Sequence, residues 1–173
     1  MSLDNEKLGA SLARRALTEH ALKWPIDDSA LQRVGDTVTP DRGNGKPHYG
    51  LDLYAPAGSI VRAAAPGRVL RVQDGRQAGR VNSRRAGLFV DVLSKSGWVH
   101  RYLHLQDSPL VVGQTITAGA LVGSLASTGT PDVIRTGPHL HFEIRTSDVS
   151  GSDRKYGPAV DPLRFLPSRM RNT

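Results

Sequence analysis

From His48 to Leu53 the apolar Tyr49, Leu51 and Leu53 alternate against His48 and Asp52, and from His139 to Ile144 Leu140, Phe142 and Ile144 alternate against His139, His141 and Glu143, side chains that bind metals or move protons. A repeat of two is the repeat of a β-strand, in which successive side chains point to opposite faces. His48 and Asp52 stand four apart and His139 and His141 two apart, both even spacings, so extended backbone sends each set to a single face. A helix would bring the first pair together but not the second, because residues two apart on a helix do not face each other. Each segment is therefore expected to be a strand with one buried face (Leu51, Leu53; Leu140, Phe142, Ile144) and one chemical face.

Most of the remaining chain carries the same kind of signal. Ile60 to Ala64 and Arg68 to Gln73 flank Ala65-Pro66-Gly67, and Leu88 to Leu93 and Trp98 to Leu105 flank Ser94-Lys95-Ser96-Gly97, each a strand, turn, strand pattern. Val111-Val112-Gly113, Ile116, Gly119 and Leu121-Val122-Gly123 add short strands with glycine corners. Strands this frequent, without alternating helices, predict an all-β fold, an antiparallel β-sandwich or partly open barrel. Only Asp4 to Lys23 reads as a helix, with Leu8, Leu12 and Ala16 on one stripe and Trp24-Pro25 ending it. The expected organisation is an N-terminal amphipathic helical segment over 1–23, one domain over 24–167 and a short tail over 168–173.

Composition narrows the chemistry. The 173 residues include no cysteine, so any zinc must be held by His, Asp or Glu, which favours an open catalytic site over a closed structural one. No apolar run approaches the roughly 18 residues that span a bilayer. Nor does a charged start with an apolar core and a cleavage site open the chain, although Met1-Ser2-Leu3 could stand where an export signal was removed. A net charge of +7 and a pI near 10.2 suggest attraction to a polyanion. Nucleic acid is set aside, since aromatic residues make up only 5% of the chain and no nucleic-acid-binding motif occurs.

A further histidine belongs with these motifs. Between Trp98 and Leu105 the alternation places Trp98, His100, Tyr102 and His104 on one face and Val99, Leu103 and Leu105 on the other, so His104 is expected to look into the same cleft. On the same count His100 could line the groove, with a structural role the better reading, and Tyr102 could touch substrate or fill space.

His48-x-x-x-Asp52, Tyr102-x-His104-Leu105 and Gly137-Pro138-His139-Leu140-His141-Phe142-Glu143, in this order, resemble the signature of the lysostaphin-like, or LytM-type, zinc metalloendopeptidases that hydrolyse peptidoglycan. Ala55-Pro56-Ala57-Gly58, Ala63 to Val69, Val112 to Gly119, Gly129 and Val160-Asp161-Pro162-Leu163 fit the same family, so the resemblance runs from about Trp24 to Pro167. It implies one zinc ion held by His48, Asp52 and His141, with His104 and His139 as catalytic histidines that do not bind the ion. It also implies peptidoglycan peptides as substrate and the cell envelope, periplasmic or secreted, as the place of action. The alternative is a catalytically silent relative that binds the wall or regulates another hydrolase. A biotinyl-type carrier is weaker, since the one hairpin lysine, Lys95, lacks a flanking methionine.

Glu143 is left open between accepting a histidine N–H and pairing with Arg145. Three stretches depart from the usual pattern: Gln73 to Gly87 with Arg76, Arg80, Arg84 and Arg85, Pro131 to Arg135, and Thr146 to Pro158. Loops beside a groove decide which peptide fits, and the four arginines are a candidate contact for anionic wall polymers. The bond cleaved and the oligomeric state are not legible in the sequence.

Overall fold

The computed structural model describes residues 22–43, 45–75, 86–126, 137–147 and 156–168. The expected N-terminal helix apart from its end, Gly129, the four arginines of the first insertion, the Pro131 to Arg135 stretch and most of the tail lie outside the described residues.

The described chain forms ten strands: β1 Arg33–Val34, β2 Leu51–Tyr54, β3 Ile60–Arg62, β4 Gly67–Asp74, β5 Leu88–Ser94, β6 Trp98–Asp107, β7 Thr115–Ile116, β8 Leu121–Leu125, β9 His139–Thr146 and β10 Ala159–Val160. A 3₁₀ turn, Pro162–Arg164, follows, capped by the Asp161 carboxylate on the Leu163 amide. The all-β expectation holds. Every pairing is antiparallel, and the strands run β1-β2-β9-β6-β5-β4-β7, with β10 on β9 and the β3/β8 pair joined to β6 through β8. The sheet does not close on itself.

The hairpin expected around Ser94 to Gly97 is present, and the Ser94 hydroxyl ties its ends by bonding both the amide and the carbonyl of Trp98. The one expected around Ala65-Pro66-Gly67 is not. β3 pairs with β8, and β4 pairs with β5 and β7, so this short link crosses between two parts of the sheet. Its residues explain why: Ala63, Ala64 and Ala65 are buried, and Gly67 lies so close to β5 that a Cβ there would clash with the Leu93 carbonyl oxygen. Val111 and Val112 are exposed in a turn before Gly113 rather than in a strand, since Gly113 takes the left-handed conformation and bends the chain there.

Cross-strand register separates two faces. One row runs Leu51, Phe142, Tyr102 and Val90, and the next Ile144, His100 and Val92, all buried in the core. The opposite face carries Asp52, His139, His141, Glu143, Arg101 and Asp91.

Candidate metal centre

β2 and β9 place the first two ligand-type residues by register alone: Asp52 stands directly opposite His141, and Tyr54 opposite His139. This approach is possible because residue 50 is glycine, where a Cβ would sit 2.7 Å from both His141 Nε2 and the Phe142 carbonyl oxygen. His48 precedes β2 and is held by a two-way backbone pairing with Thr39.

The ring orientations are fixed from behind. His48 Nδ1–H donates to the Thr37 carbonyl at 2.8 Å, which turns Nε2 inward. His141 Nε2–H donates to Glu143 Oε1 at 3.1 Å, which turns Nδ1 inward. Both inward nitrogens meet one oxygen, Asp52 Oδ1, at 3.1 and 2.8 Å, and lie 3.1 Å from each other. The other carboxylate oxygen, Oδ2, accepts from Arg42 Nη2 at 2.7 Å. His48 and Asp52 are buried and His141 nearly so, and their donor atoms lie within 4.8 Å of one another. A buried carboxylate and two imidazoles whose lone pairs converge, each backed by a partner that fixes its tautomer, fit a divalent cation. Without one, the same geometry draws in a proton. Burial works against charge on His141, but its bonds to Asp52 and Glu143 outweigh this and push its pKa up to about 9. Burial likewise opposes charge on Asp52, and its contacts with His141 and His48 hold it well below the usual carboxylate range.

His139 and His104 form the adjoining wall, their rings 4.8 Å apart, with His104 6.0 Å from the His141 ring. His139 Nδ1–H donates to the Gly137 carbonyl, leaving Nε2 3.9 Å from Asp52 Oδ1. Burial lowers the pKa of both, and for His104, with the neighbouring histidines adding to it, to about 3. Both rings are therefore neutral at neutral pH. Nδ1 of His104 is buried without a hydrogen-bond partner among the described residues.

His104 reaches the cleft by a different route from the one expected. The face shared by Trp98, His100 and Tyr102 is the core face, and unbroken alternation would have sent His104 there too. Instead Leu103 and His104 together oppose Phe89, a bulge between the pairs Val90↔Tyr102 and Leu88↔Leu105. His104 takes a φ of +67°, the only positive value at a non-glycine among the described residues, which costs about 1–2 kcal/mol. At the same point β6 exchanges neighbours, pairing with β9 as far as Leu103 and with β8 from Leu105. The bulge thus turns the histidine out of the core and lets Leu105 resume the core side.

His100 is buried in the core, where desolvation lowers its pKa to about 4 and its Nδ1 has no partner among the described residues. Tyr102 fills the core, and its hydroxyl accepts from the Ala64 amide at 2.8 Å.

Glu143 does both things that its sequence left open. Besides receiving His141, its carboxylate accepts from Arg145 Nε at 2.7 Å and from Arg101 Nη1 at 3.1 Å. Sequence reasoning missed what lies behind it. One cross-strand row, Arg71, Asp91, Arg101 and Glu143, alternates in charge from β4 to β9, with Arg101 Nε 2.9 Å and Arg71 Nε 3.5 Å from the fully buried Asp91. The Tyr156 hydroxyl donates to Asp91 Oδ2 at 2.9 Å. Through His141, Asp52, Arg42 and Asp36 the alternation continues to the edge of the cleft, where Arg42 Nε is 3.2 Å from Asp36. The one available signal was Asp91 itself, an aspartate set between two valines in an apolar strand.

The family model described as peptidase family M23 matches residues 46–162. The glycyl-glycine endopeptidase ALE-1 of Staphylococcus capitis is 35% identical over 127 residues, 72% of this chain and 30% of its own. The peptidoglycan DD-endopeptidase ShyC of Vibrio cholerae is 29% identical over 145 residues, 81% of this chain and 30% of its own. The murein hydrolase activator NlpD of Salmonella dublin is 28% identical over 149 residues, 86% and 32%. The chain thus spans about 30% of the length of these curated relatives. Among solved structures, a zinc containing peptidase from Vibrio cholerae superposes with a TM-score of 0.66 at 28% identity, covering 86% of this chain and 41% of the other. The catalytic domain of lysostaphin from Staphylococcus simulans superposes with 0.62 at 29%, covering 79% and 92%.

Proposed function

The chain belongs to peptidase family M23, and from that premise we propose that it is a zinc-dependent endopeptidase that hydrolyses peptide bonds in peptidoglycan cross-links or stem peptides. The observation that carries the reading is the convergence of His48 Nε2, His141 Nδ1 and Asp52 Oδ1 beside two neutral, buried imidazoles.

In this reading His48, Asp52 and His141 hold the ion. Two imidazoles and a carboxylate, with no thiolate in the chain, suit zinc. When bound, such an ion supplies Lewis acidity that brings the pKa of a water from about 15.7 towards about 7 and polarises a carbonyl. The chain supplies the rest. Asp52 gives one oxygen to the site while Arg42 holds the other, and the Thr37 carbonyl and Glu143 keep the two rings from turning. His139, with Nδ1 committed to Gly137, has Nε2 free to take a proton from the attacking water. His104, its ring 4.8 Å from that of His139, is placed to act on the tetrahedral oxyanion, while His139 passes the proton it has taken to the leaving amine. Acid-base groups of this kind are commonly worth about 10²- to 10⁴-fold in rate.

A second reading, a silent member that regulates another hydrolase, is favoured by the similarity to an activator, NlpD. Against it stand the five positions, none of which is lost here. Digestion of purified sacculi of differing cross-link chemistry, with mass spectrometry of the soluble products, separates the two. Release of fragments that metal chelation abolishes supports the peptidase. Sacculi left intact by metal-loaded protein, with binding retained, would favour the regulator.

A further inference from the structure

We propose that Arg42 is a specificity-determining residue that receives a substrate carboxylate lying next to the scissile amide, so that this chain favours carboxylate-bearing cross-links over uncharged glycyl bridges. The inference rests on the peptidase reading and deepens it by naming the substrate class.

The observations are local. Arg42 sits in a tight loop between Thr39 and His48, the two residues whose backbones pair, and its own amide bonds the Lys46 carbonyl. The loop is pinned further by Asp41, whose side chain accepts from the amides of Gly43 and Gly45, both at 2.8 Å. The guanidinium is consequently carried on a fixed arm. It folds over the outer oxygen of Asp52 and remains 35% exposed, at the open edge of a site whose other members are buried. Its other ion pair among the described residues is with Asp36, which is 63% exposed and free to give way to an incoming carboxylate.

Charge decides what can dock there. Asp36, Arg42 and Asp52 carry one net negative charge among them, which a divalent ion would reverse to one net positive. The neighbouring row of Arg71, Asp91, Arg101, Glu143 and Arg145 is also net positive by one. An uncharged peptide leaves that field unused, whereas a carboxylate beside the scissile bond meets a planar, fork-shaped donor suited to it. Sequence similarity does not make this choice, since the chain resembles both a glycyl-glycine endopeptidase and a peptidoglycan DD-endopeptidase. In a cross-link to a diamino diacid, the residue that donates the amide nitrogen carries a carboxylate on the same carbon. In a glycyl bridge it carries none.

The test uses two synthetic cross-link peptides that differ only in whether that residue bears a carboxylate or a carboxamide. It also uses the same pair as ketomethylene analogues, which cannot be cleaved. Metal-loaded wild type should favour the carboxylate by about 10- to 100-fold in kcat/KM, mostly through KM, which is the worth of one charge-assisted hydrogen bond. Calorimetry on the uncleavable pair should show the same preference in Kd. In Arg42→Gln both ratios should fall towards one, and Arg42→Lys should keep part of each. Each ratio compares two ligands on one preparation, so a general loss of activity in the variant does not blur it. Equal handling of the pair by wild type, or a preference that survives in Arg42→Gln, overturns the role of Arg42 and leaves the peptidase standing. Failure to cleave either peptide, with the binding preference intact and lost in Arg42→Gln, instead overturns the peptidase reading and keeps the carboxylate site.

Discussion

Replacing Glu143 by Gln tests whether the row of charges behind the metal centre holds it in shape. The substitution keeps the size of the side chain and one acceptor for His141, but it removes the charge and brings an NH₂ group towards both Arg101 and Arg145, which share the other oxygen and are donors themselves. Glu143 is 4% exposed and receives three contacts, from His141 Nε2 at 3.1 Å, Arg101 Nη1 at 3.1 Å and Arg145 Nε at 2.7 Å. Its carboxyl is held well below the usual range despite burial, by the bond from His141 and the charges of Arg101, His141 and Arg145. Hydrogen bonds to charged groups contribute about 1.5–3 kcal/mol each, and breaking a buried ion pair from one side costs about 3–5 kcal/mol. Two such bonds are lost while Arg101 keeps Asp91, so a cost near about 3–5 kcal/mol is expected, which for a chain of this size lowers Tm by about 6–20 °C. With its ring less firmly held, His141 should also bind metal about 10- to 100-fold more weakly. Thermal unfolding of the metal-free protein gives the first quantity, and competition with a chelator of known affinity gives the second. A Tm within about 2 °C of wild type, together with unchanged metal affinity, would refute the claim that this row supports the site.

The ligand and catalytic roles separate in a second experiment. His48→Ala, Asp52→Ala and His141→Ala should lose metal and activity together, whereas His104→Ala and His139→Ala should keep metal and lose about 10²-fold or more in kcat. Zinc loss in His139→Ala with retention in His141→Ala would exchange their assignments. A third concerns pH. The pKa of His141 in the metal-free protein is raised from 6.5 to about 9, so its contribution to stability is full below about pH 6.5 and is lost as pH rises through about 9. Over the same window metal must displace that proton, so affinity should strengthen with pH. Calorimetry at pH 7.5 in buffers of different ionisation enthalpy should detect proton release, and none would count against the geometry. Finally, Gly50→Ala places a methyl group 2.7 Å from His141 Nε2 and from the Phe142 carbonyl oxygen. It should cost about 1–3 kcal/mol and weaken metal binding. Wild-type values for both would show that β2 and β9 can part more easily than their register suggests.

Much of this site could be read from spacing. Asp52, His139 and His141 sit where a period of two places them, because β2 and β9 are regular strands paired without a shift. His104 could not be placed on its face by the same count, since alternation fails at a bulge, and what imposes the bulge is the exchange of β9 for β8 beside β6, a tertiary event. The expected link between β3 and β4 failed for a related reason. A short turn with proline and glycine reads as a hairpin, but buried alanines on one side and a close approach to Leu93 on the other commit the strands to different partners. Arg42, Arg71 and Arg101 were invisible as site residues because an arginine on a polar stretch looks like any solvated charge. Only the register that sets Arg101 between Asp91 and Glu143 gives it a role.

The position of β9 also fixes when this centre can come into being. β2 and β6 share no edge. β9 lies between them, and it brings His139, His141 and Glu143 in one stroke. Asp52 and His141 are 89 residues apart in the chain, and at about 5–20 residues per second that distance is some 4 to 18 seconds of synthesis. Until then the earlier strands lack the seam that completes the candidate centre, and a nascent or clipped chain ending before His139 has neither His141 nor the second of the two neutral histidines, His139. The centre is therefore completed late and all at once, with a single strand insertion, so a chain without β9 holds only scattered pieces of it.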